Sequence, residues 1–328
     1  MIIDKLIKDA KNDKKTIVLP ETSDLRVLIA ASKVDFANII LIGDELKINK
    51  LAKENNINLD NIKMINPKFF NETDKLINEF YELRKTKGTT IEDAKKLIEN
   101  NYLYFGCMLV KLGYADGLVA GACTTSSDVL RAALQTVKTA PNTKLVSSFF
   151  IMELENKELG ENGIFIYSDC GLNINPTAEE LVEIAKSSEK SFKQLIGATP
   201  KVAMLSHSSY GSSKSDDVTK MQTATKLFKE KYPDVCLDGE LQLDAAIIPE
   251  IAKSKVPNSP LKGNANVLIF PNIDSGNIAY KITERMANAK AYGPITQGML
   301  KPINDLSRGC NADDIVGAIA ITCIQANN

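Results

Sequence analysis

Residues 307–314, SRGCNADD, bring a hydroxyl, a guanidinium, a thiol and two carboxylates together just before an apolar run. The planar fork of Arg308 suits bidentate binding of phosphate or carboxylate. The Ser307 hydroxyl and a free N–H at a helix start can donate to an oxygen that gains charge in a reaction. Asp314 can accept a proton. A structural reading covers part of the same stretch. With Asn311 as N-cap, Asp313 and Asp314 occupy N2 and N3 and complement the helix dipole, while Ile315, Val316, Ile319, Ala320 and Cys323 form the inward stripe. That accounts for both acids and leaves Ser307-Arg308-Gly309 unexplained. On spacing alone the two readings stand level.

Arginine is scarce elsewhere: five of the 40 basic residues, at 26, 84, 131, 285 and 308. Where lysine serves most needs for charge, a retained arginine points to its fork, against the plainer alternative of a surface ion pair. Arg131 lies about one turn into the helix after the apolar strand GLVAG (117–121). Open α/β sheets bind ligands at such strand ends, so the functional reading leads there. The run SHSSYGSSKSDD (206–217) follows a strand, surrounds Gly211 with hydroxyls and enters a helix. It reads equally as an anion site and as a serine-rich turn. His207, the single histidine, reads as a loop or pocket residue ahead of a general base. Neither a dinucleotide fingerprint, a Walker sequence, HExxH nor an EF-hand loop occurs. The six cysteines form no C-x-x-C pair and have mostly apolar neighbours. Free thiols in a reducing cytoplasm are expected, and neither zinc nor any other metal is.

These residues need a scaffold, and short β-rich runs alternating with helical patterns supply one. Strands are predicted at 16–20, 38–43, 117–121, 144–151, 163–169, 201–207 and 266–272, several of them continuously apolar as in sheets covered on both faces. Helical spacing covers Ile2, Ile3, Leu6, Ile7 and Ala10, then 74–86, 91–112, 126–138, 177–195, 215–231 and 275–289, with Thr177 and Glu180 forming a capping box. The rhythm predicts an α/β protein with largely parallel sheets flanked by helices. Domain crossings are expected at KTAPNTK (138–144), where Pro141 and Asn142 act as breakers, and at AYGPITQGMLKP (291–302). The near balance of 40 basic and 41 acidic residues gives no field directed at nucleic acid. The N-terminus does not read as a signal peptide, and no apolar run suggests a membrane span.

Several segments together resemble the phosphate acetyltransferase family in its short, single-module form, a group that includes phosphate butyryltransferase. They are YADGLVAGACTTSSDVLRAALQTVKT (114–139), NPTAEELVEIA (175–185), LDGELQLDAAI (237–247), FPNIDSGNIAYKI (270–282) and GPITQGMLKPINDLSRGCNADDIVGAIAIT (293–322). The resemblance implies reversible acetyl transfer between acetyl-CoA and inorganic phosphate, giving acetyl phosphate and CoA. It places the enzyme in acetate metabolism, in the cytoplasm, as a homodimer with CoA as substrate and no tightly bound cofactor. It implies two domains in an isocitrate dehydrogenase-like fold, 1–142 plus 296–328 and an inserted 143–295, with the active site in the cleft. By motif, Ser307, Arg308 and Asp314 match catalytic residues, and Arg131 and, less distinctively, Arg84 match substrate-binding arginines. Asn272, Ser275, Gly276, Asn277, Tyr280 and Lys281 lie in a motif near that cleft. SHSSYGSS departs from the family's Ser-Thr-Gly-rich version of that loop.

Such a reaction has to deprotonate a thiol, stabilise an oxyanion and hold phosphate. An ordinary aspartate and an ordinary thiol differ by a pKa gap of about 6 kcal/mol. Asp314 is therefore expected to steer and accept the proton in a positive field that also favours thiolate. A covalent route through Cys310 is the lesser alternative. The rival functions are phosphate butyryltransferase, which shares the chemistry, and more distantly a metal- and NAD-dependent decarboxylating dehydrogenase or a non-catalytic acyl-CoA-binding protein.

Overall fold

The computed structural model describes residues 1–141 and 143–327. Asn142, read above as a breaker, lies outside the described residues. The chain forms two compact units: a terminal unit of Ile3–Asn142 with Met299–Asn328, and a central unit of Met1–Ile2 with Thr143–Gly298. In chain order the first part contains α1 (Ile2–Asn12), β1 (Thr16–Leu19), α2 (Leu25–Lys33), β2 (Asn38–Ile42), α3 (Glu45–Glu54), β3 (Lys63–Ile65), α4 (Thr73–Arg84), α5 (Ile91–Asn100), α6 (Tyr102–Lys111), β4 (Gly117–Ala120) and α7 (Ser126–Thr136). The central unit adds β5 (Ser147–Glu153), β6 (Ile164–Ser168), α8 (Ala178–Ile196), β7 (Val202–Leu205), α9 (Asp216–Lys231), β8 (Leu237–Leu241), α10 (Leu243–Ile247), α11 (Pro249–Lys255), β9 (Val267–Ile269), α12 (Ile273–Met286) and β10 (Lys290–Gln297). The terminal unit closes with β11 (Ile303–Asp305) and α13 (Ala312–Gln325).

The terminal sheet is parallel throughout, in the order β11-β4-β1-β2-β3. Its strands read as continuous apolar runs because helices cover both faces; Ile17, Val18, Leu41 and Leu118 are all fully buried. Since β11, β4 and β1 are parallel neighbours, the loops after Leu19, Ala120 and Asp305 leave the same edge of the sheet. That adjacency builds the site.

The central sheet runs β10-β5-β6-β9-β7-β8, antiparallel from β10 to β6 and parallel from there to β8. The sequence reading missed β10 within 291–302 because of its glycines and prolines, although the passage to the terminal unit, between Gly298 and Met299, does fall in that stretch. Gly293 and Pro294 fall where the β10–β5 register shifts between Tyr292 and Ile295, and an edge strand tolerates both residues at such a bulge. At its end, buried Gln297 donates to Ser147 Oγ (2.9 Å) and Ser188 Oγ (3.0 Å) and accepts from Ser191 Oγ (2.8 Å). The predicted helix 91–112 is two helices. Extended Asn101 breaks it and caps α6, its carboxamide accepting from Leu103 and Tyr104 N–H. Among the described residues no helix is long and apolar enough to cross a membrane.

Candidate active site

Three strand ends of the terminal unit converge through two charged side chains. After β1, the nearly buried Glu21 carboxylate accepts four backbone N–H groups of the β4–α7 loop: Gly121 (2.9 Å), Ala122 (2.8 Å), Cys123 (2.9 Å) and Thr124 (2.7 Å). Clusters of this kind hold phosphates elsewhere; here the chain's own carboxylate fills it. Those four N–H groups are therefore not free for a substrate anion. Arg26, in the first turn of α2, ion-pairs with Asp24 (2.7 Å) and donates to the carbonyls of Ala122 (2.8 Å), Arg308 (2.8 Å) and Cys310 (2.7 Å). It holds the Asp24 carboxyl down at about 2.

Above these anchors the turn 307–311 presents Ser307, Arg308 and Gly309 to solvent and buries Cys310. Asn311 caps α13 as predicted, accepting from Asp313 N–H (2.8 Å) and Asp314 N–H (3.0 Å), and Asp314 Oδ2 accepts the Asn311 N–H (2.9 Å) to complete a capping box. Ile315, Ile319, Ala320 and Cys323 are buried beneath it, with Val316 partly so. Among the described residues, the Arg308 guanidinium has neither a hydrogen bond nor an ion pair. The same holds for Arg84, at the C-terminal end of α4. Among the described residues, Arg131 on α7 pairs only with Asp128 (2.8 Å), in an exposed bridge worth little. Arg84 and Arg131 both lie close enough to Tyr104 for their charges to oppose the rise that burial gives its phenol. The structure thus brings these two arginines to one patch of the α4–α6–α7 face.

Asp305, the last residue of β11, is buried, and its Oδ1 has no hydrogen-bond partner among the described residues. Burial pushes its carboxyl up to about 6, opposed by the nearby polar groups of Ser126 and Leu306 and helped by the Glu21 charge. Gly121 is required beside it: a Cβ there would stand 2.3 Å from Asp305 Oδ1 and 2.5 Å from the Leu306 nitrogen, at a φ of +112°.

In the central unit, most of the predicted motif is taken up by its own helix. Asn272 caps α12, accepting from Ser275 N–H (3.0 Å) while Ser275 Oγ donates back to its carbonyl (2.9 Å). Gly276 permits close packing, since a Cβ there would lie 2.4 Å from Asp169 O. Asn277 donates to Cys170 O (3.1 Å), and Tyr280 stacks on Phe150 with centroids 4.0 Å apart. Lys281 keeps an exposed ammonium 5.8 Å from the Tyr280 ring centre. The serine-rich loop is organised by a carboxylate: Glu240 accepts from Ser208 Oγ (2.8 Å) and Gly211 N–H (2.7 Å). Exposed His207 contacts Ser213 Oγ (3.2 Å) and so sits as a loop residue. A cavity of about 510 Å³ on the α8–α9 face, lined by Leu145, Val182, Leu227, Glu179 and Glu230, contains none of the predicted site residues.

The family model for phosphate acetyl/butaryl transferase matches residues 1–323. This chain belongs to that family. It is 55% identical to the phosphate acetyltransferase of Acetivibrio thermocellus over 99% of this chain and 98% of the relative. Its fold superposes on the EutD phosphotransacetylase from Staphylococcus aureus with a TM-score of 0.91 at 42% identity, covering 99% and 98% of the two chains. A phosphotransacetylase from Streptococcus pyogenes gives 0.92 at 41% identity with the same coverage. The protein is therefore an acyltransferase, which sets aside the dehydrogenase and non-catalytic readings.

Sequence reasoning about this transferase missed Glu21, Arg26 and Asp305. Arginine scarcity offered a signal for Arg26, and position just after a predicted strand offered one for Glu21. Asp305 stands two residues before Ser307, inside a segment that already carried the family resemblance.

Proposed function

We propose that the acetyl transfer this enzyme performs, between acetyl-CoA and inorganic phosphate, runs by direct attack of the CoA thiol at the Ser307–Asp314 corner. The observation that carries this reading is the exposed Arg308 guanidinium, unpartnered among the described residues, on a turn whose backbone is anchored from behind. Arg308 holds the phosphoryl group of acetyl phosphate, with Arg131 or Arg84 as a second fork. Ser307 Oγ donates to the carbonyl oxygen as it gains charge, a contribution of about 3–4 kcal/mol for one such donor. One Asp314 oxygen is fixed in the capping box and the other faces the reaction, accepting the thiol proton. The C–S bond forms, the C–O bond to phosphate breaks, and the proton leaves on phosphate. Cys310 plays no covalent part: burial pushes its thiol up, and it lies beneath the turn. Lys281 is the α12 residue whose exposed ammonium suits a CoA phosphate by its chemistry, with Asn272, Ser275, Gly276, Asn277 and Tyr280 setting the helix that carries it.

The acyl group is acetyl, in keeping with the names of the relatives. The same site with a longer acyl chain is the alternative. Thiol release from acetyl-CoA and butyryl-CoA, each with and without phosphate, tests both. Phosphate-dependent release favouring acetyl-CoA is expected, and a preference for butyryl-CoA would replace acetyl in the assignment. Activity in Cys310→Ala is also expected; its loss in a folded variant would revive the covalent route. The assembly is a homodimer in the cytoplasm. Ile278, Ile282 and Met286, exposed at four-residue spacing on α12, support a subunit interface, and six free thiols suit a reducing compartment. Sedimentation of Ile282→Glu as a monomer would support that interface, and an unchanged dimer would remove it.

A further inference from the structure

We infer that Arg26 is a positioning residue for the reaction, orienting both Ser307 and Asp314 through the backbone of the turn between them. The inference rests on the assignment of residues 307–314 as the catalytic corner. A guanidinium carries five N–H donors. Arg26 commits Nε to Asp24 Oδ1 (3.0 Å), Nη2 to Asp24 Oδ2 (2.7 Å) and Ala122 O (2.8 Å), and Nη1 to Arg308 O (2.8 Å) and Cys310 O (2.7 Å). No donor remains for a substrate phosphate, so Arg26 is no phosphate ligand.

Its effect on the turn follows from peptide geometry. In a trans peptide the C=O and the following N–H point in opposite directions. Drawing the carbonyls of Arg308 and Cys310 onto one nitrogen therefore turns the N–H groups of Gly309 and Asn311 away from Arg26. Those two N–H groups are the ones that meet Ser307 Oγ (3.3 Å) and Asp314 Oδ2 (2.9 Å). One side chain thus places the hydroxyl and the carboxylate while leaving the Arg308 guanidinium uncommitted. The bond to Ala122 O joins this turn to the loop held by Glu21. A lysine ammonium, a compact point charge with three donors, does not span two carbonyls, a third carbonyl in another loop and a carboxylate.

The test measures kcat and both KM values, for CoA and acetyl phosphate, in Arg26→Lys, with Arg308→Gln as reference. A misplacement of about 1 Å costs on the order of 10²-fold, so Arg26→Lys is expected to lose kcat on that scale with both KM values unchanged. Methylguanidinium is expected to restore part of the kcat of Arg26→Ala, which a purely structural loss would not allow. Full kcat in Arg26→Lys, or a raised KM at constant kcat, would overturn the inference. If the Arg26 variants fail to fold, Asp24→Asn decides: it keeps the arginine and removes the carboxylate that aims it. A fall in kcat at constant KM supports the role, and unchanged kcat overturns it. Full turnover in Arg308→Gln would instead sink the catalytic corner itself, separating that failure from failure of Arg26 alone.

Discussion

At the start of α12, the polar side chains are consumed by the fold: Asn272 caps, Asn277 grips the Cys170 carbonyl and Tyr280 stacks on Phe150. At the start of α13 the cap of Asn311 and Asp314 is joined by a second hold. There the backbone is gripped by a side chain from another element, Arg26, and Ser307 and Arg308 stand exposed above it. Both segments look alike in sequence, as polar residues at a helix start. What separates them is where the positional constraint comes from. A turn held by its own side chains has none to spare for chemistry, whereas a turn held by its carbonyls does. Asp314 shows the economy within one residue, with one carboxylate oxygen in the cap and one left over.

The strongest way to break this contrast is to remove one polar group from each segment. Arg308→Gln should lower kcat by about 10³-fold, the scale of a lost transition-state donor, with little change in unfolding free energy. Asn277→Ala should do the reverse, costing about 1 kcal/mol of stability for its lost hydrogen bond and far less in kcat. Steady-state kinetics and urea unfolding of the two variants decide it. Comparable losses of kcat would mean that α12's side chains are not merely structural.

Protons probe the underside of the corner from two directions. Asp305 is raised from an ordinary 3.8 to about 6, so the folded chain binds its proton more tightly than the unfolded chain. Stability from this group is therefore greatest below the ordinary value and falls as pH climbs through about 6, by about 3 kcal/mol in total. Asp305→Asn should abolish that fall, so the variant's unfolding free energy relative to the parent rises between pH 4 and 6 (about the span of the two pKa values). Asp24 has the opposite sign. Held at about 2 by Arg26, its carboxylate stabilises the fold above the ordinary value, and the benefit of about 2 kcal/mol is lost as pH falls through about 2. Asp24→Asn should therefore flatten the acid limb. Unfolding curves across pH that moved the same way in both variants would contradict this account of the anchors.

Much of the scaffold was legible because its signals are local. Continuous apolar runs announced β1, β2 and β4, and the T-x-x-E pattern announced the start of α8. Local signals also misled where tertiary packing overrode them, as at Gly293-Pro294 in β10 and at Asn101, where an apolar helical pattern continues through a break. The exposed part of the proposed site could be singled out for the same reason, since Ser307, Arg308 and Asp314 share one short stretch, although spacing alone left its catalytic and capping readings level. Its supports could not be. Arg26 meets Arg308 across 282 residues and Ala122 across 96, and its partners there are carbonyls, which every residue carries. No spacing rule marks a bond to a backbone group in a distant loop.

The smallest effect gives the sharpest comparison, because two helix starts share one device. Asn311 and Thr177 both form capping boxes, with Asp314 and Glu180 as the reciprocal partners. Asn311→Ala and Thr177→Ala should each cost about 1 kcal/mol of stability, the usual value of an N-cap, and chemical unfolding should find them alike. Kinetics should part them. Losing the Asn311 carboxamide loosens the turn that places Asp314, so kcat should fall while the Thr177 variant keeps its turnover. Equal kcat in the two would show that Arg26 alone secures the carboxylate and that the cap is only a cap.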